Sequence, residues 1–589
     1  MDKKNTVIGV LLLIGAAASF YLSARYAPQP PPAPAVTSSG TTGDPIARNE
    51  APPSGPARSP GNATLSAPAT RAGGPAAFVE LANDYIVAKF TDLGGAIDSV
   101  GLKKHPAVKG EPALYTLNAV QAAPALSFAD FPGLDQHTRY TLVTHSAAEV
   151  IYRAVLDDRL EVTRRYTLRS APAGDPYQIR TETTFRNLTD KPLPLPRTAL
   201  NLGTAAPINP QDYGLYLDLA YYDGHNAEFL KRGALEGGGF LSNFGFGSKT
   251  DLPFIEKPVA VQWAAVKNQF FASILTPDQP GTGVRVERVK LDPAALPSDH
   301  HAYGVTGYLL IDLKSLAPEA SSTWAGTYYT GPKEYDRLAD TDHFTHNEDK
   351  VMEFGFFGFF SKLLLTLMTW VHEFIPNWGW AIVVTTLILK TIFVPFTIAA
   401  SRSSKRMQKL MPLVAALREK HKDSPAKANE AMMKLYKDHK VNPLGGCIPI
   451  LITIPFFIGF FSMLQSASEL RFAPFLWAPD LSAPDTVAHL FGLPLNIMPL
   501  LMGATMILQM RLTPTPTTDN AQATMMKVMP WIFTFICYNF SCALALYSFV
   551  GNVFTIGQQL IINRLPEPAL ATAVPGADGL KNVTPKKKK

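Results

Sequence analysis

The chain has 589 residues, of which 47% are hydrophobic and 17% are charged, and its formal net charge is +6. This length exceeds that of one domain, and the charged fraction lies below the ~25% usual in soluble domains. Because Lys and Arg cluster in a few short segments, the charge favours a topological signal over a uniformly basic, nucleic-acid-binding surface. The three cysteines lie in apolar stretches, which excludes a disulfide framework, and no zinc, phosphate-loop or dinucleotide motif occurs.

The N-terminal residues predict a membrane-directed segment followed by a tether. Lys3 and Lys4 precede residues 7–24, which carry no charge. Small residues at 16–18 permit a cleaved signal peptide, whereas the length also suits a retained anchor. Residues 27–77 contain twelve prolines among Ala, Ser, Thr and Gly. Such a composition predicts a disordered or polyproline-like tether.

Residues 78–332 predict an all-β region. Short runs rich in Val, Ile, Tyr, Thr and Phe alternate with Gly, Pro, Asp and Asn turns. In residues 179–186, Ile179, Thr181 and Phe185 alternate with charged neighbours, so one face is expected to be buried. Because short strands and turns alternate throughout residues 78–332, the pattern suggests a large β-sandwich. The strands are predicted at residues 85–90, 150–156, 160–168, 178–185, 259–266 and 304–313.

Residues 354–375 predict an amphipathic helix in the outer membrane interface. Lys362, Thr366, Thr369 and Glu373 form a single polar stripe at helical spacing. A crossing here would place the following basic segment outside the cell, against the positive-inside rule. We therefore expect this helix to lie along the membrane surface.

A lone lysine marks the first of five predicted spans, residues 379–400, 444–466, 493–511, 526–541 and 543–563. Lys390 is the only charge in the first span and lies 11 residues after Gly379. That distance is roughly 16 Å of helix, about half the hydrocarbon thickness. An ammonium at this depth costs at least about 2.5–3.5 kcal/mol, so Lys390 is expected to face a wet or polar cavity.

Residues 401–443 predict a basic helical hairpin. They carry eleven Lys or Arg against four Asp or Glu, a net charge of +7. Apolar residues at helical spacing predict two antiparallel helices. Placing this segment and the lysines at 586–589 inside the cell gives cytoplasmic N- and C-termini and an external β-region. The basic residues that we single out in this cytoplasmic hairpin are Arg402, Lys405, Arg406, Lys409, Arg418 and Lys420.

The chain resembles a known family in several ordered motifs. The segment VNPLGGC at residues 441–447, with Pro449 and Pro455, resembles the start of the third span of bacterial YidC membrane protein insertases, which are related to mitochondrial Oxa and chloroplast Alb proteins. Further similar segments are YTGPK at 329–333, ELR at 469–471, APF at 473–475, DLSA at 480–483, Leu500 with Met502 and Gly503, and QQ at 558–559.

The resemblance implies a polytopic α-helical membrane protein of the Gram-negative type, with six spans, a five-span insertase core and an all-β periplasmic supersandwich. The supersandwich would be similar to sugar mutarotases without their chemistry. The implied domains are a retained anchor (1–26), a disordered tether (27–77), the periplasmic domain (78–332), a connector with the interfacial helix (333–378), the core (379–564) with its hairpin (401–443), and a basic cytoplasmic tail (565–589).

The family resemblance also implies a hydrophilic groove, open to lipid and cytoplasm, through which inner-membrane proteins are inserted and helped to fold. The groove residues expected here are Lys390, Thr386, Gln509, Asn539, Ser541, Tyr547 and Ser548. The stripe Met498, Met502, Met506 and Met510 is a second expected substrate contact, because methionine adapts to varied apolar partners. Ordinary helix packing explains the same methionines, and interhelical hydrogen bonds explain Gln509 and Asn539.

The resemblance implies nascent inner-membrane proteins, the Sec translocon, weakly the ribosome, and the phospholipid bilayer as partners. It implies no catalytic residue, metal, cofactor or small-molecule substrate. The chain departs from the family where Lys390 replaces a usual arginine, Thr453 a common glutamine and Ser548 a common tyrosine. Residues 540–543 also replace a more common Phe-Pro-Ser-Gly.

Two other functions fit the sequence. An intramembrane lysine also suits a secondary transporter, although no inverted repeat of broken helices is visible. A tethered carbohydrate-active enzyme would require paired carboxylates in the β-region.

Overall fold

The computed structural model describes residues 74–121, 123–169, 174–208, 212, 214, 216–235, 252–291, 303–422, 424–439, 441, 448–513 and 520–564. The predicted anchor, tether and basic tail, and most of the VNPLGGC segment, lie outside these residues. The described chain has a β-rich part followed by a helical part.

The β-rich part consists of antiparallel sheets, built from eighteen of the described strands. The strands are β1 (Phe78–Ala82), β2 (Ile86–Thr91), β3 (Ala96–Pro106), β4 (Leu114–Leu117), β5 (Phe128–Ala129), β6 (Thr141–His145), β7 (Glu149–Leu156), β8 (Leu160–Leu168), β9 (Gln178–Asn187), β10 (Arg197–Ala205), β11 (Asp218–Tyr222), β12 (Ala227–Lys231), β13 (Phe254–Lys257), β14 (Trp263–Lys267), β15 (Phe271–Pro277), β16 (Gly283–Lys290), β17 (Tyr303–Asp312) and β18 (Ser321–Pro332).

Two large sheets form the core of this part. A nine-stranded sheet has the order β12-β11-β14-β15-β18-β9-β8-β7-β6, a five-stranded sheet has the order β13-β16-β17-β10-β5, and β1–β4 form a third sheet. The two large sheets approach closely at Gly307, where a Cβ would lie 2.4 Å from Leu219 and 2.6 Å from Val266. The β-rich architecture expected from the sequence is confirmed.

The predicted strand pattern is reproduced with local shifts. In β9, Ile179, Thr181 and Phe185 are buried while Arg186 is exposed, as the alternation indicates. The strand predicted at residues 259–266 was placed too early, because only Trp263–Lys267 pairs with its neighbours. Residues before Trp263 include an isolated bridge from Val261 to Gly281.

The helices are α1 (Arg232–Leu235), α2 (Tyr335–Leu338), α3 (Gly358–Phe374), α4 (Trp378–Lys420), α5 (Pro425–Asp438), α6 (Ile448–Ser466), α7 (Ile497–Leu512), α8 (Asn520–Ile536) and α9 (Cys542–Arg564). By length and composition, α4 and α9 each qualify as a membrane span. Residues Ile454–Ser466 of α6, all of α7 and Lys527–Ile536 of α8 are shorter apolar helices.

Predicted boundaries in the helical part differ from the structure at several places. The span predicted at residues 526–541 corresponds to α8, which ends at Ile536, so residues 537–541 lie outside a helix. The first arm of the basic hairpin is not a separate helix, because α4 runs unbroken from the predicted span to Lys420 with Pro395 and Pro412 inside it. Residues 493–496, predicted as the start of a span, form strand β20 (Leu493–Asn496), which pairs with β19 (Thr486–Leu490).

The β-rich part is fastened to the loop that follows α6. Arg471 donates hydrogen bonds to the carbonyls of Pro106 (2.7 Å), the last residue of β3, and Ala107 (2.9 Å). At the end of α6, the Gln465 side chain accepts from the Tyr216 hydroxyl at 2.5 Å. These contacts place the β-rich part at the end of the helical bundle where α4, α7 and α9 begin.

Candidate functional site

The candidate site is centred on Lys390, which lies between α4 and α9. Its ammonium donates a long hydrogen bond of 3.5 Å to the Thr555 hydroxyl. In the described part of the chain, no carboxylate lies within ion-pairing distance of it. Gly551 makes room for the side chain, since a Cβ there would lie 3.1 Å from Lys390 Cε. The lysine is therefore half-buried, with a weak polar partner and no counter-charge among the described residues.

Polar atoms without partners lie on the helices around this lysine. Gln509 Oε1 on α7 and Ser548 Oγ on α9 are buried, and neither forms a hydrogen bond with any residue that the structure describes. Buried polar atoms are normally satisfied by protein or by ordered water. An ammonium group together with these atoms has the chemistry of a hydrated polar cavity rather than of a dry helix interface.

A hydrogen bond between α7 and α9 shows which residues of these two helices lie at the same level as the site of Lys390. Asn552 on α9 donates to Thr505 on α7 at 3.3 Å. Because α7 and α9 run in the same direction, Gln509 lies within about one turn of the level of Thr555. Gln509 therefore lies near the depth of Thr555, which is the hydrogen-bond partner of Lys390.

Thr386 and Tyr547 occupy the same region but are packed rather than open. Thr386 is fully buried, and its hydroxyl donates to the Ile382 carbonyl of its own helix at 2.6 Å. Tyr547 stacks on Phe460 of α6 with ring centroids 4.2 Å apart. Both side chains form walls of the site.

Asn539 and Ser541 are not near Lys390. They lie in the turn before α9, ten or more residues before Gly551, which is about 15 Å of helix. Asn539 Oδ1 accepts from Asn496 at 3.4 Å, and Ser541 Oγ is buried without a hydrogen-bond partner among the residues that the structure describes. Sequence alone could not separate these polar residues by depth.

The methionine stripe is divided between buried and partly exposed positions. Met498 and Met502 are 2% and 1% exposed, whereas Met506 and Met510 are half-buried. Gly503 packs against Thr534 of α8 on the same part of α7. The first two methionines therefore pack inside the protein, and only the second two present surface to a possible substrate.

A row of polar contacts between α4 and α9 was not predicted. Below Lys390, Gln558 donates to Thr397, Ser401 donates to Gln559 at 3.3 Å, and Lys405 donates to the Ile562 carbonyl at 3.0 Å. Lys405 thereby satisfies a carbonyl at the C-terminus of α9. The polar residues of the otherwise apolar last span are the signal that identifies this row.

The other basic residues proposed for the hairpin face solvent. Arg402, Arg406, Lys409, Arg418 and Lys420 are exposed along the extension of α4. On the opposite side of that extension, Met407 and Leu410 pack with Val441, near Tyr436 of α5. The extension therefore has an apolar side toward α5 and a basic side toward water.

The DLSA segment positions the start of α9. The carbonyl of Leu481 accepts from the Ala543 amide at 2.9 Å, and that of Ala483 accepts from the Cys542 amide at 2.8 Å. Asp480 in turn accepts from Phe472 and Ser482. These bonds satisfy amides at the helix N-terminus that would otherwise lack partners.

Comparison with known proteins agrees with this arrangement. A family model described as 60Kd inner membrane protein matches residues 370–568, and one described as YidC periplasmic domain matches residues 79–367. The membrane protein insertase YidC of Cupriavidus necator is 30% identical over 96% of this chain and 98% of its own length. The chain belongs to the YidC membrane protein insertase family. Its β-rich part is the periplasmic domain of that family, and its helical part is the inner-membrane region.

Two other matches cover a smaller part of this chain. The insertase YidC of Pelobacter propionicus is 38% identical over 309 residues, and the chain spans about half (54%) of that relative's length. The crystal structure of an active YidC insertase with its first transmembrane domain resolved is 15% identical, with a TM-score of 0.33, over 83% of this chain and 93% of that one.

Proposed function

We propose that this chain inserts inner-membrane proteins and helps them to fold, with the cavity around Lys390 receiving the polar part of the substrate. One observation carries the proposal: a half-buried ammonium lies about half-way along the predicted span without a counter-ion among the described residues, and Gln509 on α7 and Ser548 on α9 carry buried polar atoms without described partners. A structural lysine at such a depth normally pairs with an acid. An unpaired one remains available to a ligand.

The physical cycle needs no cofactor and no covalent step. The Lys390 charge attracts an acidic or polar substrate tail, since electrostatic attraction strengthens as the surroundings become less polar. The polar walls shorten the path that this tail takes across hydrocarbon. The apolar part of the substrate then moves sideways into lipid, driven by burial of its own apolar surface.

The proposed topology has six spans with both termini in the cytoplasm. A retained N-terminal anchor is followed by α4, α6, α7, α8 and α9, and α3 lies in the outer interface. The predicted domain boundaries and the supersandwich class of the periplasmic domain belong to the same proposal. The exposed basic side of α4 supports this topology, because positive charge favours the cytoplasmic side.

The proposed partners follow from the exposed charges. The α4 extension and α5 would recruit nascent inner-membrane proteins, and residues 586–589 would bind ribosomal RNA or anionic lipid weakly. Insertion would proceed alone or with the Sec translocon. A translocon-free system with purified protein separates these two modes.

Reconstitution tests the proposal directly. Purified protein in liposomes should protect the translocated end of a small single-span substrate from added protease, whereas empty liposomes should not. Liposomes with the Lys390→Ala chain are the matched control. Solute flux without substrate protection would instead support a secondary transporter.

A further inference from the structure

We propose that the β19–β20 hairpin is a membrane contact whose apolar tip lies among the lipid headgroups of the outer leaflet, beside the first turn of α7. This inference rests on the membrane topology proposed above. It adds a lipid-binding element on the periplasmic side that is separate from α3 and from the Lys390 cavity.

The hairpin projects from the protein with apolar side chains on both faces. Phe491 is 96% exposed, Leu493 70% and Leu490 58%, and Val487 is also exposed. A two-stranded hairpin that projects alone into water is marginally stable. Contiguous exposed apolar surface of this kind marks a binding or membrane-contact site.

The turn holds a phenylalanine where the backbone favours another residue. Leu490 pairs with Leu493, so Phe491 and Gly492 form the turn, and both have positive φ values of +53° and +80°. Two-residue turns of this type favour Asn or Asp followed by Gly. A bulky aromatic residue with positive φ is an outlier, so the exposed ring is retained against the local preference.

The base of the hairpin is fixed to the helical bundle. Asp485 accepts from the Met498 amide at 2.7 Å and from the Trp477 indole at 2.8 Å. Asn496 donates to the Tyr538 carbonyl at 2.8 Å, between α8 and α9. These bonds hold the tip in a set position relative to the spans.

Lipid is the occupant that the surroundings favour. Residues 486–510 contain no Asp, Glu, Lys or Arg, and the hairpin continues directly into α7. Trp380, at the start of α4, and Trp477 are exposed at the same end of the bundle. Tryptophans of this kind lie at membrane–water interfaces.

The depth of the hairpin is limited by its backbone. Each strand of an isolated pair has one edge without hydrogen-bond partners, and such edges are not tolerated in the hydrocarbon region. The hairpin must therefore remain in the hydrated headgroup layer, with only the Phe491 and Leu493 side chains reaching the acyl boundary. A membrane-spanning or deeply inserted hairpin is excluded on this ground.

The test uses an environment-sensitive fluorophore at single cysteines in the full-length chain, reconstituted in liposomes, with Cys447, Cys537 and Cys542 replaced by Ala. Phe491→Cys labels the tip, Asp158→Cys labels the exposed β7–β8 turn as the aqueous control, and Ile392→Cys labels an exposed position of α4 as the deep control. Nitroxides placed on the lipid headgroup or deep in the acyl chain act as quenchers.

We expect headgroup nitroxides to quench the Phe491→Cys label strongly, deep nitroxides to quench the Ile392→Cys label, and neither to quench the Asp158→Cys label. Tip fluorescence that matches the Asp158→Cys label would overturn the proposal. Protection of the tip from aqueous iodide without nitroxide quenching would indicate a protein occupant and would also overturn it. Loss of deep quenching at Ile392→Cys would instead refute the span topology.

Discussion

The Lys390 side chain fits between α4 and α9 because the α9 residue opposite it has no side chain. Gly551 leaves space that the lysine stem fills, with Nζ 3.5 Å from the position of a Cβ. At Gly557, which lies six residues further along α9, a Cβ would meet no heavy atom within 4 Å among the described residues outside its own stretch of helix. Substitutions at these two glycines can therefore separate the effect of filling the space beside Lys390 from the effect on helix propensity.

We predict that Gly551→Val lowers insertion several-fold, whereas Gly557→Val leaves it nearly unchanged. Both changes place the same β-branched residue in one helix, so their propensity effects are alike. Only the first displaces the Lys390 side chain. The measurement is substrate protection per reconstituted protein at equal expression. Equal loss in both variants would mean that Gly551 acts only through helix stability.

A second residue-scale feature is the acidic cavity between the β-rich part, α3 and the loop after α6. It has a volume of about 480 Å³ and is lined by Glu334, Asp336, Glu373 and Glu469, among others. Burial raises the pKa of Glu469 to about 8, and the carboxylates of Glu334 and Asp336 add to the rise. The carboxyl is therefore protonated in the folded protein at neutral pH.

We predict that Glu469→Gln raises the melting temperature at pH 8 but not at pH 5. The folded-state pKa lies above the ordinary value of 4.5, so the folded protein binds the extra proton and loses stability as pH rises from about 4.5 to about 8. Glutamine mimics the protonated form and removes that loss. Thermal unfolding in detergent, with the exposed Glu111→Gln as control, measures it. A gain at pH 5 equal to that at pH 8 would contradict the assignment.

At the scale of elements, α3 shows why a helix of apolar composition can lie along a membrane. Leu364, Leu365 and Met368 are buried, whereas Phe359, Trp370 and Phe374 form a separate exposed apolar face. On the polar stripe, Lys362 donates to Asp349 at 2.5 Å, and Thr369 and Glu373 line the acidic cavity. The stripe therefore faces the periplasmic domain, and under the proposed topology the exposed aromatic face would contact lipid.

We predict that cysteines placed at both ends of α3 react with a membrane-impermeant maleimide added from the periplasmic side. Thr366→Cys, near the middle of the helix and exposed, should react from the same side. Spheroplasts, with lysed cells as the total-labelling control, provide the measurement. Labelling of the Phe357 end from outside and the Ile375 end from inside would show that α3 crosses the membrane.

Elements whose structure depends on residues close together in the sequence were predicted better than elements that depend on distant contacts. Alternation and turn residues predicted β7, β8 and β9 well, because strand faces are set locally. The sequence did not show that α4 continues into the basic segment, because the change from apolar to charged residues after Ala400 marks the end of a span but not the end of the helix. The β19–β20 hairpin was missed because its uncharged, apolar sequence also suits the start of a span.

The candidate site was predictable by residue type but not by depth. An isolated lysine in an apolar run identified Lys390, because charge in hydrocarbon requires an explanation. Asn539 and Ser541 were assigned to the same groove, yet the structure places them about 15 Å away along α9. Gly551 and Thr555 were missed because a small residue and a threonine are common in membrane helices.

At the scale of the whole molecule, the periplasmic domain and the helical bundle share a continuous hydrophobic core and several polar contacts. Gln465 at the end of α6 and Arg471 in the loop after it bond to the β-rich part, and the Lys109 ammonium donates to the carbonyls of Phe472 and Pro479. The described neighbours of Lys390 are Gly551 and Thr555 on α9, and neither belongs to the β-rich part. We therefore expect the site to keep its geometry without the domain.

We predict that deleting residues 78–332, with the first 77 residues retained, lowers stability but preserves insertion of simple single-span substrates. The deletion removes the partners of Arg471 while leaving Lys390, Gln509 and Thr555 in place. Protease protection of substrate by the reconstituted deletion protein is the measurement, with full-length Arg471→Ala as the control for a loosened junction. Loss of insertion by a stably folded deletion protein would contradict a separate role for the helical core.

The central claim is that the positive charge of Lys390 acts in a hydrated cavity, and substitution of this residue tests it most directly. Arginine keeps the charge and cannot release a proton, whereas alanine and glutamate remove or reverse it. Reconstituted Lys390→Arg should insert substrates nearly as well as the natural chain, and Lys390→Ala and Lys390→Glu should lose insertion, most for substrates with acidic tails. Equal failure of the arginine and alanine variants at normal protein levels would contradict the claim and favour proton transfer by the lysine, and full activity of the alanine variant with every substrate would remove Lys390 from the mechanism.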